Sequence, residues 1–236
     1  FIERELLAAR AALPERPAQY GRVGRHVANA ILANMYINAP VFQGTVTAAG
    51  LQRAQPRYND AIAAADLVIN SGVYSLASNY NANFSTTNES SPENIFVIAN
   101  VSNPPGLGNS FSQRPLHYNQ HGVGGGPWNG FAAVAETYRA YDPQDARRAV
   151  WLVGPQVNFQ SGQPANDRQG NRLIYTETIG DATRAAENEG PRLNKFPPLL
   201  SAPNGDSHPN DFPYFRLAEM FMIKAEALNE LGRTSE

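Results

Sequence analysis

Residues 216–232 read RLAEMFMIKAEALNELG, and only four residues follow them. Wound at about 100° per residue, this stretch places apolar side chains over more than half of the helix circumference. They are Leu217, Met220, Phe221, Ile223, Leu228 and Leu231, and the remaining stripe carries Glu219, Glu226 and Glu230. A helix with so wide an apolar surface needs neighbours on two sides. The stretch therefore predicts a scaffold of several packed helices.

Two segments of the chain share the spacing of a helical repeat. Ala33 and Ala225 are each followed three residues later by a larger apolar group, and Gly232 comes seven residues after Ala225. This spacing is typical of the first helix of a tetratricopeptide-type hairpin, in which the alanine lets the partner helix approach and the glycine ends the helix. Residues 58–70 fit the second helix of the same unit. The sequence therefore predicts a mainly α fold, a tetratricopeptide-like helical-hairpin scaffold with a loop-rich insertion.

The pattern of apolar residues divides the chain into a scaffold and an insertion. We expect residues 1–76 and 213–236 to form the helical scaffold, and residues 77–212, rich in Asn, Ser, Gly and Pro, to form a loop-rich region that faces the ligand. Helices are predicted near residues 1–12, 22–38, 56–70 and 213–231, with the second packed antiparallel against the third. A hairpin of this kind buries its apolar face by stacking on others. Both ends of the chain look cut, so the last helix is expected to find its partner beyond Glu236.

Composition excludes several classes of function. The formal net charge is −2, so the chain has no basic field to hold nucleic acid or an anionic membrane surface. It contains no cysteine, which excludes disulfides and thiolate metal sites. No apolar run approaches the roughly 18 residues of a membrane span, and the first residues lack the features of a signal peptide.

Four motifs occur in an order that resembles the SusD/RagB family. The stretch at 216–232 is similar to that family's Arg-x-Ala-Glu start followed by Lys-Ala-Glu-Ala-Leu-Asn-Glu, and YNDAIAAADLVINSGVYSL (58–76) is similar to a second family segment. The remaining matches are Tyr80 and Phe84 before ENIFVI, and the Asn-Gly and Asp-Pro-x-Asp-x-Arg elements of WNGFAAVAETYRAYDPQDARR (128–148). The resemblance covers nearly the whole chain, which we expect to be a single, partial domain of this family. The family's lipid-attachment cysteine, first hairpins and last helix do not occur in this sequence.

The resemblance implies a binding protein rather than an enzyme. Members of this family are surface lipoproteins of the outer membrane that hand oligosaccharides or peptides to a TonB-dependent, SusC-like transporter. The chain would then reach the membrane only through a lipid anchor that this sequence lacks. Two other functions remain open: a carbohydrate-active hydrolase on a helical scaffold, and a helical-repeat adaptor that binds protein. The resemblance implies no cofactor.

The loop segment 111–130 is the best candidate for a ligand site. Sugars are bound by aromatic faces and by amide groups, and this segment holds the densest mixture of the two. The candidate ligand-binding residues are Trp128, Tyr118, Asn129 and His117. Each has a structural alternative: Trp128 covers the helical scaffold, and Asn129 forms a tight turn with Gly130. Trp151 lies in an apolar run and is expected in the core.

The same region offers weaker motifs for other chemistry. The three consecutive glycines at 124–126 lack the Gly-Lys-Ser/Thr ending of a phosphate loop, and no strand precedes them. His117 and His121 are four residues apart, a spacing that would suit a metal only on a helix, and we predict no metal. Asp142 and Asp145 fit helix capping better than a cation site or an acid–base pair.

Three charged residues of the predicted helices have structural explanations. Asp60 and Asp66 lie on the polar face of residues 58–70 and are expected to be solvated. Lys224 falls within the apolar arc of the last helix, where its stem can cover apolar surface while its charge reaches water. The alternative for Lys224 is an ion pair with a carboxylate from outside this sequence.

Overall fold

A computed structural model gives the fold, and it describes residues 1–235. The helices are α1 Ile2–Ala12, α2 Arg25–Ile37, α3 Ala39–Phe42, α4 Tyr58–Ile69, α5 Ala135–Arg139 and α6 Leu217–Glu230. The strands are β1 Thr45–Thr47, β2 Gly50–Gln52, β3 Asn94–Ile98, β4 Trp151–Leu152, β5 Gly154–Pro155, β6 Ile174–Tyr175, β7 Arg192–Leu193 and β8 Phe212–Arg216. Single turns of 3-10 helix occur at Tyr80–Phe84, Asn88–Ser90, Val123–Gly125 and Ala146–Val150. Within residues 1–235 the strands associate in pairs: β1 with β2, β3 with β8, β4 with β7, and β5 with β6.

The contacts divide the chain into two compact units. The scaffold unit comprises Phe1–Ser78, Ser91–Ile98 and the described residues from Pro213 onward, and the loop-rich unit comprises Asn79–Ser90 and Ala99–Phe212. The strand β3 therefore belongs to the scaffold unit, although the sequence placed it within the loop-rich region. Among the helices of residues 1–235, none has the length and apolar character needed to cross a membrane.

The core of the scaffold unit lies between α2, α4 and α6. Helix α2 packs against α4 and α6, and α4 packs against α6. Small residues make this approach possible, since Ala33, Ala61 and Ala227 are completely buried at the helix contacts. Because α2 carries apolar residues on most faces, nine of its thirteen residues are buried. The coarse prediction of a mainly helical scaffold is confirmed.

Helix α6 begins four residues later than the predicted position 213 because the preceding segment is strand β8. In residues 212–215 exposed side chains alternate with more buried ones, and the strand pairs with β3 instead of extending the helix. The backbone N–H of Leu217 then donates to the carbonyl of Glu93 at 2.9 Å, which ties the start of α6 to the segment before β3. Tertiary pairing overrides local helix propensity here.

The expected role of Ala225 is wrong in this structure. Ala33 is buried, as predicted, but Ala225 is exposed and the close helix contact is made by Ala227. A shift of two positions turns a helix by about 200°, so the two alanines of the proposed repeat face different surroundings. Phe221 and Met222 are also exposed on α6.

Lys224 forms an ion pair with a residue of this chain. Its Nζ lies 2.7 Å from Oδ1 of Asp66 on α4, and both side chains are about one-third exposed. The partner is therefore not a carboxylate from outside the sequence, and Asp66 is not merely solvated. The pair links α6 to α4 at the edge of their apolar contact.

The loop-rich unit is held together by side-chain amides that bond the backbone. Asn88 donates to the carbonyls of Asn83 and Asp211 and accepts from the N–H of Asp211, while Asn109 donates to the carbonyls of His208 and Asn210. These side-chain amides supply hydrogen bonds to loop backbone groups that have no partners in a helix or a sheet. The abundance of asparagine in this region therefore reflects its internal order.

The two aspartates near residue 142 have capping roles. Asp145 is the N-cap of the 3-10 turn Ala146–Val150, and its Oδ1 accepts from the N–H of Arg147 at 2.8 Å. Asp142 accepts from the N–H of Gln144 and so caps a turn, not a helix. The capping interpretation holds for both residues, with Asp145 as the helix cap.

Candidate ligand-binding site

A cavity of about 370 Å³ opens within the loop-rich unit. Its walls are mainly aromatic and aliphatic, and two cationic side chains complete them. The lining residues are Phe111, Arg114, Pro115, Phe131, Ala132, Ala133, Trp151, Leu193, Lys195 and Phe196. A largely apolar cavity of this size with a few polar groups is typical of a small-molecule site.

The aromatic wall of the cavity is supported by further rings. The ring centroids of Phe111 and Phe196 are 4.7 Å apart at 45°, and Phe196 meets Phe84 edge to face at 5.4 Å. Phe212 stacks on Phe196 at 6.2 Å. Contacts in this range are favourable for aromatic pairs, so Phe111 and Phe196 are held in place from behind and keep one face toward the cavity.

Trp151 reaches the cavity through a strand pair. It lies on β4 opposite Leu193 on β7, and both residues line the cavity. The side chain of Trp151 is half-buried, and its Nε1 is a buried donor that finds no acceptor within residues 1–235. The expectation that Trp151 belongs to the core is therefore wrong, because the strand pair is only two residues long and leaves the indole at a cavity wall.

The segment Trp128–Gly130 runs beside the segment Gln113–Leu116. The N–H groups of Trp128, Asn129 and Gly130 donate to the carbonyls of Gln113, Leu116 and Arg114 at 2.6, 2.9 and 2.7 Å. This pairing brings Phe131, the next residue, to the same wall as Arg114. Trp128 itself is 51% exposed and does not line the cavity.

Asn129 is engaged in the structure of the loop. Its φ of 53° is in the left-handed region, which asparagine tolerates better than most residues. Its Nδ2 donates to the carbonyl of Glu187 at 2.9 Å, and its Oδ1 accepts from Nε of Arg192 at 3.2 Å. The side-chain amide thus fixes the turn that presents Trp128.

Tyr118 and His117 lie around the carboxylate of Glu187. The guanidinium of Arg168 stacks over the Tyr118 ring at 4.5 Å and donates to Glu187 at 2.6 Å. His117 is completely buried, and its Nε2 is 3.4 Å from the other oxygen of Glu187. Burial lowers the pKa of His117. Tyr118 is half-buried, so the cluster leaves part of its surface open.

The three glycines at 124–126 serve close packing of two loops. All three have a positive φ, and a Cβ added to Gly124 would overlap the backbone nitrogen of Gly205. Only glycine fits such an approach without strain. The structural explanation therefore accounts for the motif.

His121 faces His208, and their ring centroids are 6.2 Å apart. Nδ1 of His208 accepts a hydrogen bond from the N–H of Leu199 at 3.0 Å, which assigns the ring proton to Nε2. A metal bound at Nε2 would require the opposite tautomer. No cluster of three or more histidine, aspartate or glutamate residues suited to a metal occurs within residues 1–235.

Several residues that line the cavity were not predicted from the sequence to bind a ligand. Phe111 and Arg114 lie in the predicted segment 111–130, but Leu193, Lys195 and Phe196 come from a region that shows no periodic pattern. The only local signal was a Lys-Phe pair before two prolines, which does not by itself indicate a site. The strand pair that brings these residues to the cavity is too short to be predicted from alternation.

Comparisons of the sequence and of the fold with known proteins point to the same family. The sequence model of the SusD family matches residues 64–236. No curated protein sequence matches the chain. Solved structures match with similar folds but low identity, so they inform on the fold alone.

Three of these structures illustrate the similarity. A SusD-like protein from Bacteroides fragilis has a TM-score of 0.68 and 17% identity over 99% of this chain and 48% of its own. Surface glycan-binding protein A from Bacteroides uniformis has a TM-score of 0.64 and 19% identity over 98% of this chain and 44% of its own. A structure solved with a xylogluco-oligosaccharide has a TM-score of 0.66 and 18% identity over 95% of this chain and 43% of its own. The chain spans less than half of the length of each.

Proposed function

Because the chain belongs to the SusD family, we propose that it binds oligosaccharides and performs no covalent chemistry on them. The observation that carries the proposal is the aromatic cavity of the loop-rich unit. Aromatic faces stack on the apolar C–H side of a sugar ring, and the volume of about 370 Å³ lies in the range of small-ligand sites. One structure with this fold was solved with a xylogluco-oligosaccharide, which supports the same ligand class.

Within this proposal the rings have distinct roles. Phe131 and Trp151 line the cavity together with Phe111 and Phe196, whose rings contact each other. Trp128 extends the binding surface at the nearby exposed turn, where a longer oligosaccharide can stack on it. Tyr118 offers a partly open ring on the same loop segment.

Asn129 and His117 take supporting positions in the proposed site. The amide of Asn129 fixes the turn that carries Trp128. Nε2 of buried His117 lies 3.4 Å from Glu187, whose carboxylate accepts from Arg168 beside Tyr118. Neither side chain needs to touch the ligand for this role. We propose all four residues, Trp128, Tyr118, Asn129 and His117, as parts of a ligand-binding region around the cavity.

The lining of the cavity favours binding over hydrolysis. A glycosidase uses two carboxyl groups across the scissile bond, and the residues that line this cavity include neither aspartate nor glutamate. The hydrolase and the protein-binding adaptor stay as alternatives that the experiment below separates from glycan binding.

We further propose that the whole protein is a surface lipoprotein of the outer membrane. It would deliver an oligosaccharide, or a peptide, to a TonB-dependent, SusC-like transporter. Membership of the SusD family supports this assignment. A pull-down of the transporter with the lipidated protein from outer membranes tests it, and absence of the transporter from the eluate would contradict it.

The helical scaffold fits the same family-level proposal. We propose that α2 and α4 are the two helices of a tetratricopeptide-like hairpin, that α6 is the first helix of a following one, and that residues 1–236 are part of a single SusD-type domain. The direct packing of α2, α4 and α6 through small residues supports the hairpin. Ala225 makes no buried helix contact within residues 1–235, so it does not support the proposal.

Affinity electrophoresis against a panel of plant and bacterial polysaccharides tests the binding function. We expect retardation on at least one polysaccharide with no release of reducing sugar. Phe131→Ala removes an exposed ring from the cavity wall and is expected to weaken retardation by at least about tenfold, roughly 1.4 kcal/mol. Leu107→Ala, an exposed apolar residue of the same unit outside the cavity, is the matched control.

Three results would decide against the proposal. Released sugar would indicate the hydrolase, and absence of retardation across the panel would favour the adaptor. Retardation that Phe131→Ala leaves unchanged would place glycan binding outside the cavity.

A further inference from the structure

The charges around the cavity are of one sign. Arg114 and Lys195 are the only charged residues among its described lining. The chain as a whole carries a formal net charge of −2. A positive wall is therefore a local feature of this cavity and not a consequence of composition.

Arg114 differs from the arginines whose guanidinium groups are held by carboxylates. Arg57, Arg139, Arg147, Arg168 and Arg216 each form an ion pair with a carboxylate. The guanidinium of Arg114 is exposed and has neither an ion pair nor a hydrogen bond within residues 1–235. Its backbone carbonyl accepts from Gly130, which fixes the residue beside the Trp128 turn. The guanidinium N–H groups of Arg114 are therefore available to a ligand, and the backbone that carries them is held in place.

Lys195 contributes a second positive charge in an aromatic setting. Its Nζ lies 4.1 Å from the centroid of Phe84 and 5.9 Å from that of Phe196. Aromatic surfaces exclude water, and charge interactions beside them are less screened than on an open polar surface. An anionic group that enters the cavity would therefore meet two cations in partly desolvated surroundings.

We propose, resting on the glycan-binding function above, that the cavity selects acidic oligosaccharides of the uronic-acid class. The sugar ring packs against Phe131, Trp151 and Phe196. Its carboxylate accepts hydrogen bonds from the planar guanidinium of Arg114, which matches a carboxylate in geometry. Lys195 adds its charge to the same side of the ligand.

Isothermal titration with matched ligands tests the selectivity. The probes are tetragalacturonate and its full methyl ester, which share a backbone and differ in carrying a carboxylate or a neutral ester, together with glucuronoxylan and unsubstituted xylan. We expect at least one acidic probe to bind at least about tenfold more tightly than its neutral counterpart at low salt. This preference is expected to shrink as ionic strength rises.

Variants assign the preference to the cavity. Arg114→Gln is expected to remove most of the tenfold preference, because it weakens binding of the acidic probe more than binding of its neutral counterpart. Arg114→Lys keeps the charge and is expected to retain part of the preference. Arg184→Gln removes an exposed arginine of the same unit outside the cavity and is expected to change nothing.

The outcomes separate the inference from the function on which it rests. Equal binding of acidic and neutral probes, or tighter binding of neutral ones, overturns the acidic selectivity and leaves glycan binding intact. A preference that Arg184→Gln reduces as much as Arg114→Gln also overturns it, since bulk charge would be the cause. If neither these probes nor the polysaccharide panel binds, both the function and the inference fail.

Discussion

His121 is expected to make the loop-rich unit sensitive to mild acid. Its ring is only 2% exposed, and both nitrogens are buried without a hydrogen-bond partner in the described residues. Burial, with the nearby His208 as a second cause, lowers the pKa of His121 from 6.5 to about 4. The unfolded chain therefore takes up a proton at His121 below about pH 6.5, and the folded chain does not until about pH 4.

The sign and size of the effect follow from this difference. Stability contributed by the neutral ring is fully present above pH 6.5 and is lost as the pH falls toward 4. At about 1.4 kcal/mol per pH unit for one proton, the total loss is on the order of 3 kcal/mol. His121→Gln removes the proton uptake, so the free energy of unfolding should depend less steeply on pH by about 1.4 kcal/mol per unit between about pH 4.5 and 6.

Urea unfolding at a series of pH values and constant ionic strength measures this slope. Trp128 and Trp151 are the only tryptophans of the chain, and both belong to the loop-rich unit, so tryptophan fluorescence follows that unit. Burial also lowers the pKa of His117 and His208, and both remain in the variant. The quantity to compare is therefore the slope of the free energy of unfolding against pH in the wild-type chain minus the same slope in His121→Gln. Equal slopes, or a native-state NMR titration of His121 near pH 6.5, would refute the reasoning.

Three further predictions concern packing, the ligand surface and an ion pair. Ala33→Leu is expected to lower the free energy of unfolding by roughly 1–3 kcal/mol through overpacking. Ala225→Leu, on the exposed side of α6, is expected to change it by no more than about 0.5 kcal/mol. Thermal unfolding followed by circular dichroism checks both variants, and a larger effect of Ala225→Leu would support the original repeat alignment. Trp128→Ala should weaken glycan retardation by at least about tenfold with an unchanged helical signal, and unaltered retardation would leave Trp128 a purely structural residue. Arg216→Met removes one partner of Glu93, at 2.6 Å, and should cost about 3 kcal/mol because Glu93 is only 3% exposed. A loss below about 1 kcal/mol in urea unfolding would show that other contacts, such as the N–H of Ala77, satisfy the carboxylate.

The scaffold was the more predictable part of the molecule. The helices at 2–12, 25–37 and 58–69 follow from the local spacing of apolar residues, which does not depend on the rest of the chain. The start of α6 was misplaced because strand β8 depends on pairing with a segment more than one hundred residues earlier. The pair between Lys224 and Asp66 was missed for the same reason, since it joins residues 158 positions apart.

The ligand site was only partly predictable from the sequence. Composition drew attention to the segment that holds Trp128 and Arg114, because aromatic and amide residues are concentrated there. Trp151 was misassigned since apolar neighbours in the sequence do not reveal which side of a two-residue strand faces a cavity. His121 is buried beside His208, which lies 87 positions later in the chain, and such long-range contacts leave no periodic signal.

The pairing of β3 with β8 has an evolutionary consequence. Besides the short excursion Asn79–Ser90, the chain leaves the scaffold unit at Ile98 and returns at Pro213, near the ends of two hydrogen-bonded strands. Neighbouring strands are about 5 Å apart, so an inserted segment can connect β3 to β8 if its two ends lie at that spacing. Doubling the length of such a segment adds only about 0.6 kcal/mol of closure entropy. Descendants of one scaffold can therefore diverge by lengthening, shortening or replacing the 114 residues between these points while the helices keep their own selective constraints.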